Sequence, residues 1–145
     1  MIVRTLDQIV GSEQEVAAET WVSRRLLLER DGMGFSLHET LIHPGTETHI
    51  HYRHHLEAVY CVEGEGEIEL ADNGRIFPIR PGTLYALDQH DRHFLRATTR
   101  LRLVCVFNPP LTGREVHDAE GVYPLLAEFG HPSPAGIAAS SKEAP

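Results

Sequence analysis

The sequence predicts an all-β protein, a single double-sheet β-barrel of the jelly-roll type with little helix. Three observations predict it. Apolar residues recur at every second position in a series of short runs, the runs are separated by Gly, Pro, Asn and Asp, and no long segment repeats its apolar residues at helical spacing. Successive side chains of a strand point to opposite faces, so an alternating run buries one face and wets the other. Many short strands punctuated by turns build a sandwich or a barrel.

The elements follow in order. Residues 12–20 hold a turn or two of helix at most, and Trp21 to Leu28 reads as the first strand, closed by the Asp31-Gly32 turn. Phe35 to Ile42 alternates and ends at Pro44-Gly45; Ala58 to Val62 and Glu67 to Leu70 follow. Asn73-Gly74 between two strand-like runs is a strong hairpin signal. Arg75 to Ile79, Thr83 to Leu87, Phe94 to Ala97 and Leu101 to Phe107 complete the series, and there is no internal repeat. After Leu126 the chain turns to Gly, Pro, Ser and Ala. Residues 1–127 are therefore expected to form the domain and residues 128–145 a mobile C-terminal tail outside its core.

Composition limits what such a barrel can do. The 145 residues allow one domain, and 41% hydrophobic residues suffice for a single core. No apolar run approaches the roughly 20 residues of a membrane-spanning helix, and the N-terminal segment lacks the basic-then-apolar pattern of a signal peptide. A net charge of -8, from 21 acidic against 13 basic residues, argues against a nucleic-acid partner, which demands a concentrated positive face. Cys61 and Cys105 sit inside apolar runs and read as buried thiols of a reducing compartment, so a cytoplasmic location is expected. The expected partner is a small molecule.

The segment from Gly45 to Gly64 carries the most information. Its spacing matches the first sequence motif of the cupin superfamily, whose ligands fall at positions 51, 53 and 57; Gly74 through Pro81-Gly82 to Tyr85 matches the second. On one continuous strand, 51, 53 and 57 would all face the barrel interior. Two ligand positions depart from the pattern: Arg53 and Tyr85 stand where histidines belong. Either the metal is lost or a nearby donor replaces them. If 83–87 and 92–97 form a hairpin, Tyr85 and His93 become cross-strand neighbours. Glu57, Tyr85 and His93 then offer a carboxylate, a phenolate and an imidazole, a set that suits iron and leaves positions open.

Trp21 to Leu28, Asp31 to Ser36, His55 to Cys61, Glu63 to Glu69, Arg102 to Gly113 and Glu115 to Asp118 together resemble the ectoine synthase family of cupins, over about residues 1–127. The resemblance implies a hydro-lyase that closes Nγ-acetyl-L-2,4-diaminobutyrate to ectoine, an osmoprotectant, with loss of water. It further implies iron, most readily Fe2+, held by Glu57, Tyr85 and His93, and assembly as a homodimer. Trp21, Ser23, Thr40, Cys105 and Phe107 match positions associated with substrate; Tyr52, Glu115 and His117 match positions associated with catalysis.

The residue types suit that chemistry. An amide is a poor electrophile, which a Lewis acid on its oxygen remedies, and the attacking amine must shed a proton, which Glu115 or His117 could accept. Two residues apart in extended chain, those two project to the same side. Blander readings stand beside these. Trp21 and Phe107 serve equally as core, Tyr85 as a barrel-lining aromatic, Cys105 as a packed thiol, and His54 and His55 as part of a solvated histidine patch. Tyr52 has the wrong strand parity to share a face with Glu57 unless a bulge intervenes in the run from Arg53 to Leu56. A cupin dioxygenase and a non-catalytic binding module for a small polar solute are the alternative functions.

Overall fold

A computed structural model describes residues 1–123. The expected tail, 128–145, and the last residues of the expected domain lie outside the described residues. Among the described residues, ten strands form two antiparallel sheets. Beside them stand a single helical turn, α1 (Leu6–Ile9), and a 3-10 turn at Glu29–Asp31.

The larger sheet has the order β1-β2-β3-β10-β5-β8, from β1 (Glu15–Ala17), β2 (Trp21–Leu27), β3 (Ser36–Ile42), β5 (Leu56–Glu63), β8 (Leu84–Leu87) and β10 (Leu101–Asn108). The smaller has the order β4-β9-β6-β7, from β4 (Glu47–Ile50), β6 (Gly66–Leu70), β7 (Ile76–Ile79) and β9 (His93–Ala97). Alternation decides which face is inner. In β10, Leu101, Leu103, Cys105 and Phe107 are buried while the residues between them are not. Strand β2 behaves likewise, burying Trp21, Ser23 and Arg25. These faces join Ile50, Ile68, Ile79 and Leu95 of the smaller sheet in one hydrophobic cluster, as burial of a single core requires. Gly64 takes the corner between β5 and β6 at φ 93°, where any side chain would run into the Arg100 carbonyl. No helix among the described residues is long and apolar enough to cross a membrane.

Three local expectations are corrected. Residues 15–17 are a strand on the sheet edge, because the backbone of Val16 and its neighbours finds partners in β2, which a lone helical turn could not match. Positions 51, 53 and 57 do not share a strand. Strand β4 stops at Ile50 and the chain leaves the sheet until Leu56, so Arg53 is exposed while Tyr52 and Glu57 are both buried. The parity conflict of Tyr52 is thereby resolved by a loop rather than a bulge. That loop is held by His51 N–H donating to the Gly121 carbonyl at 2.8 Å and by His90 Nδ1–H donating to the Tyr52 carbonyl at 2.8 Å. Finally, 83–87 and 92–97 are not a hairpin. Strand β8 pairs with β5 in one sheet and β9 with β4 and β6 in the other, so the turn between them crosses from sheet to sheet.

Candidate active site

The sheet register assembles the site. Glu57 pairs with Phe107 on one side and with Leu87 on the other; two residues on, Val59 pairs with Cys105 and Tyr85. Register partners share a face, so Glu57, Tyr85, Cys105 and Phe107 all look inward. Between the sheets they line a cavity. Trp21, Thr40, Tyr52 and His117 complete the expected part of its wall, and Tyr123 adds a residue that was not expected.

His93 enters from the facing sheet, its ring centroid 6.4 Å from that of Tyr85. The two come together across the barrel, not across a strand pair. His93 is wholly buried, and its Nδ1 lies 2.9 Å from the Asp91 carbonyl. A carbonyl only accepts, so Nδ1 carries the proton and Nε2 is a bare lone pair. That Nε2 has no partner among the described residues.

Every titratable group here is pushed toward its neutral form. Burial raises the Glu57 carboxyl to about 8, against a weaker lowering by the Cys105 thiol. Burial also raises Tyr85, with Glu57 and Cys105 adding to it, and raises the Cys105 thiol, as expected of a packed cysteine. Burial lowers His93 to about 4, partly opposed by its bond to Asp91. A carboxylate and a phenol without a cation, beside an orphaned imidazole nitrogen, are what a bound cation would satisfy. The donor set therefore fits iron. Among the described residues no three His, Cys, Asp or Glu side chains converge on a metal; this set depends on a tyrosine for its third donor.

Opposite chemistry marks the rest of the wall. The Tyr52 hydroxyl and His117 Nε2 are 2.8 Å apart, and the His117 ring lies 5.2 Å from Trp21 and 4.4 Å from Tyr123. Burial, then the nearby Arg25 charge, lower His117 to about 4, so it is neutral at neutral pH. Tyr52 is raised well above its ordinary value, chiefly by burial. The neutral phenol can therefore donate to the imidazole.

Besides His93, two expected residues lie outside the cavity wall. Ser23 Oγ is engaged by His38 Nδ1 and Arg25 Nε, each at 3.3 Å. The Glu115 carboxylate turns back on its own loop, accepting from Thr112 N–H at 2.8 Å, Thr112 Oγ1 at 2.9 Å and Gly113 N–H at 2.9 Å. Burial raises its pKa, but these hydrogen bonds outweigh it and the net shift is downward. Glu115 and His117 thus do not project together, because the turn at Thr112 offers the carboxylate unpaired N–H groups. His55 is buried rather than part of a surface patch, whereas His54 is exposed. Arg25 and Tyr123 were missed. Arg25 shares the parity of Trp21 and Ser23, a signal that was available; Tyr123 carries no local signal.

Two sheets closing on a buried polar cavity define a small-molecule cupin. The fold matches a Cupin 2 conserved barrel domain protein from Salinispora arenicola with a TM-score of 0.60 at 20% identity, over 74% of this chain and 87% of that one. The model of the ectoine synthase family matches residues 1–127, and the chain belongs to that family. It is 66% identical over 128 residues to the L-ectoine synthase of Desulfatibacillum aliphaticivorans, covering 87% of this chain and 98% of that protein. It also resembles the crystal structure of ectoine synthase from P. lautus, with a TM-score of 0.79 and 57% identity over 98% of this chain and 96% of that one.

Proposed function

We infer that the chain is an L-ectoine synthase, closing Nγ-acetyl-L-2,4-diaminobutyrate to ectoine with loss of water, with iron bound by Glu57, Tyr85 and His93. The observation that carries this reading is that Glu57, Tyr85 and the Tyr52–His117 couple line one cavity, with the unpartnered His93 Nε2 beside Tyr85. Iron, when bound, supplies a Lewis acid for the acetamide oxygen, worth several kcal/mol of transition-state stabilisation.

The remaining work falls to the protein. The Tyr52–His117 couple takes the proton as a unit: the substrate ammonium gives it to the Tyr52 oxygen as the Tyr52 proton passes to His117 Nε2, and the same proton returns to the product amidine at the end. The freed amine bonds to the acetamide carbon; the carbon–oxygen bond then breaks and the oxygen leaves as water, with two hydrogens drawn from the two nitrogens. Trp21 and Phe107 pack the substrate into its folded form and attract the cationic amidinium of the product. Closure of the cavity between the two sheets excludes the water that would reverse the reaction.

The chain acts in the cytoplasm as a homodimer. Two free, buried cysteines support the first statement; apolar Met1, Ile2, Val3 and Leu84 on the surface support the second, which sedimentation checks. The decisive experiment is anaerobic incubation of iron-loaded protein with the acetylated diaminobutyrate. Stoichiometric cyclic product is expected. Oxygen-dependent turnover would point instead to a dioxygenase, and binding without turnover to a solute-binding module.

A further inference from the structure

His117 and Tyr123 reach the cavity wall from a segment that belongs to neither sheet. No strand ladder holds that segment, so local bonds must fix the histidine against Tyr52. Between the two residues lies a turn, 118–122, and Asp118 closes it. The Asp118 N–H donates to the Val122 carbonyl at 3.0 Å, and the Asp118 carbonyl accepts from the Gly121 N–H at 3.0 Å. Its carboxylate accepts twice more through one oxygen, from the Glu120 N–H at 2.8 Å and the Val122 N–H at 3.0 Å. The side chain is exposed, so these bonds rather than packing give it a role. An aspartate that captures N–H groups just ahead of it fixes the backbone between. With the turn closed, the flanking His117 and Tyr123 rings lie 4.4 Å apart.

The closed turn is docked on the end of β4. The Gly121 carbonyl accepts from the His51 N–H at 2.8 Å, and any side chain on Gly121, at φ 76°, would run into the His49 carbonyl. Glu120 pairs with Arg53 at 2.6 Å, but both are largely exposed and the pair adds little. His51 immediately precedes Tyr52, so the turn is seated on the loop that carries the other half of the couple. Across that seat Tyr52 stacks on Tyr123 at 4.8 Å and meets His117 Nε2 at 2.8 Å. A proton transfers only within such reach, about 2.6–3.2 Å.

Resting on the ectoine synthase reading, we propose that Asp118 is the positioning residue of the proton-transfer couple: by closing the 118–122 turn it holds His117 Nε2 within reach of the Tyr52 hydroxyl. It lies outside the cavity wall and acts through the histidine alone. Its contribution therefore falls on kcat and leaves iron binding untouched.

The test is a double-mutant cycle on iron-loaded enzyme, joined to crystal structures of the parent and of Asp118→Ala. Asp118→Ala removes the acceptor and is expected to lower kcat about 10-fold, part of the ordinary 10²–10⁴-fold share of proton transfer, with KM little changed. Asp118→Asn keeps an oxygen for both N–H groups and restores the parental rate. In a His117→Ala background, Asp118→Ala has no further effect, because its influence runs through the missing ring. General loosening of the barrel would add to the His117→Ala loss instead. In the Asp118→Ala crystal the Tyr52–His117 bond is broken. Asp118→Glu, which keeps the charge but moves the acceptor by a methylene, is expected to match Asp118→Ala and replaces it should that variant not fold. A parental kcat in these variants, or equal losses in both backgrounds, overturns the proposal. If the parent makes no cyclic product, the synthase reading falls; the crystal structures then decide the positioning role alone, and a bond still at 2.8 Å in the variant overturns it.

Discussion

Asp31 and Glu57 are carboxylates with little exposure and opposite fates. Asp31, outside the barrel, is gripped by Arg4 through two hydrogen bonds of 2.6 and 2.7 Å, which with help from the Leu28 N–H lower its pKa to about 2. Glu57, inside, meets no cation, and burial raises it to about 8. The contrast extends to both regions. On the outer surface Arg96 is bridged to Glu47, Glu67 and Glu69, and Arg102 to Glu39 and Glu63. In the interior, nitrogen atoms of Arg25, His38, His55 and His93 have no partner among the described residues. The outer face completes its own electrostatics, whereas the inner face leaves its polar groups unsatisfied, to be completed by what binds.

That contrast is easiest to break at the metal set. Glu57→Ala, Tyr85→Phe and His93→Ala should each lower bound iron and cut turnover by about 10³-fold or more, since a Lewis acid contributes several kcal/mol. Metal analysis with circular dichroism checks this; full iron occupancy in all three variants would dismiss the ligand set.

His117 sharpens it next. His117→Ala should retain iron and lose about 10²-fold in kcat, the ordinary share of a general base. The base must be neutral to work, and its pKa lies at about 4, so the limb it governs appears as pH falls through that value. The loss should shrink at high pH, where the substrate amine deprotonates unaided. Near-wild-type rates at neutral pH would move the proton acceptor elsewhere.

Glu115 tests whether a buried carboxylate that is satisfied behaves like the outer surface. Glu115→Gln should keep iron and destabilise the protein by about 2 kcal/mol, the worth of hydrogen bonds to a charged acceptor. Its folded pKa is depressed, so that stability is present above the ordinary carboxylate pKa and is lost as pH falls through the lower folded value. Urea titrations across pH check it. A variant of parental stability, slow at neutral pH and rescued by alkali, would return Glu115 to the role of base.

The smallest effect belongs to the outside. Asp31→Asn should cost about 1 kcal/mol at neutral pH, given a partly exposed Arg4 partner. The difference should fade between the ordinary carboxylate pKa of 3.8 and the folded value of about 2, because only the ionised form holds Arg4. Melting curves of both proteins down that range measure it.

Strands, their inner faces and the family were determined by the sequence itself. Period-two alternation is a property of local backbone geometry, so Trp21, Cys105 and Phe107 declare their face within their own runs. The motif from Gly45 to Gly64 likewise carried Glu57, although the loop at 51–55 broke the strand it was expected to share. Only the tertiary structure decided which faces meet. Tyr85 and His93 approach from different sheets, Tyr52 reaches His117 across 65 residues, and Arg25 reaches Glu115 across 90. Alternation cannot report such pairings, because it fixes where a side chain points and leaves open what stands opposite. Glu115 shows the consequence: its side chain was turned from the cavity by two N–H groups and a hydroxyl of its own loop, a competition decided by geometry that no spacing rule encodes.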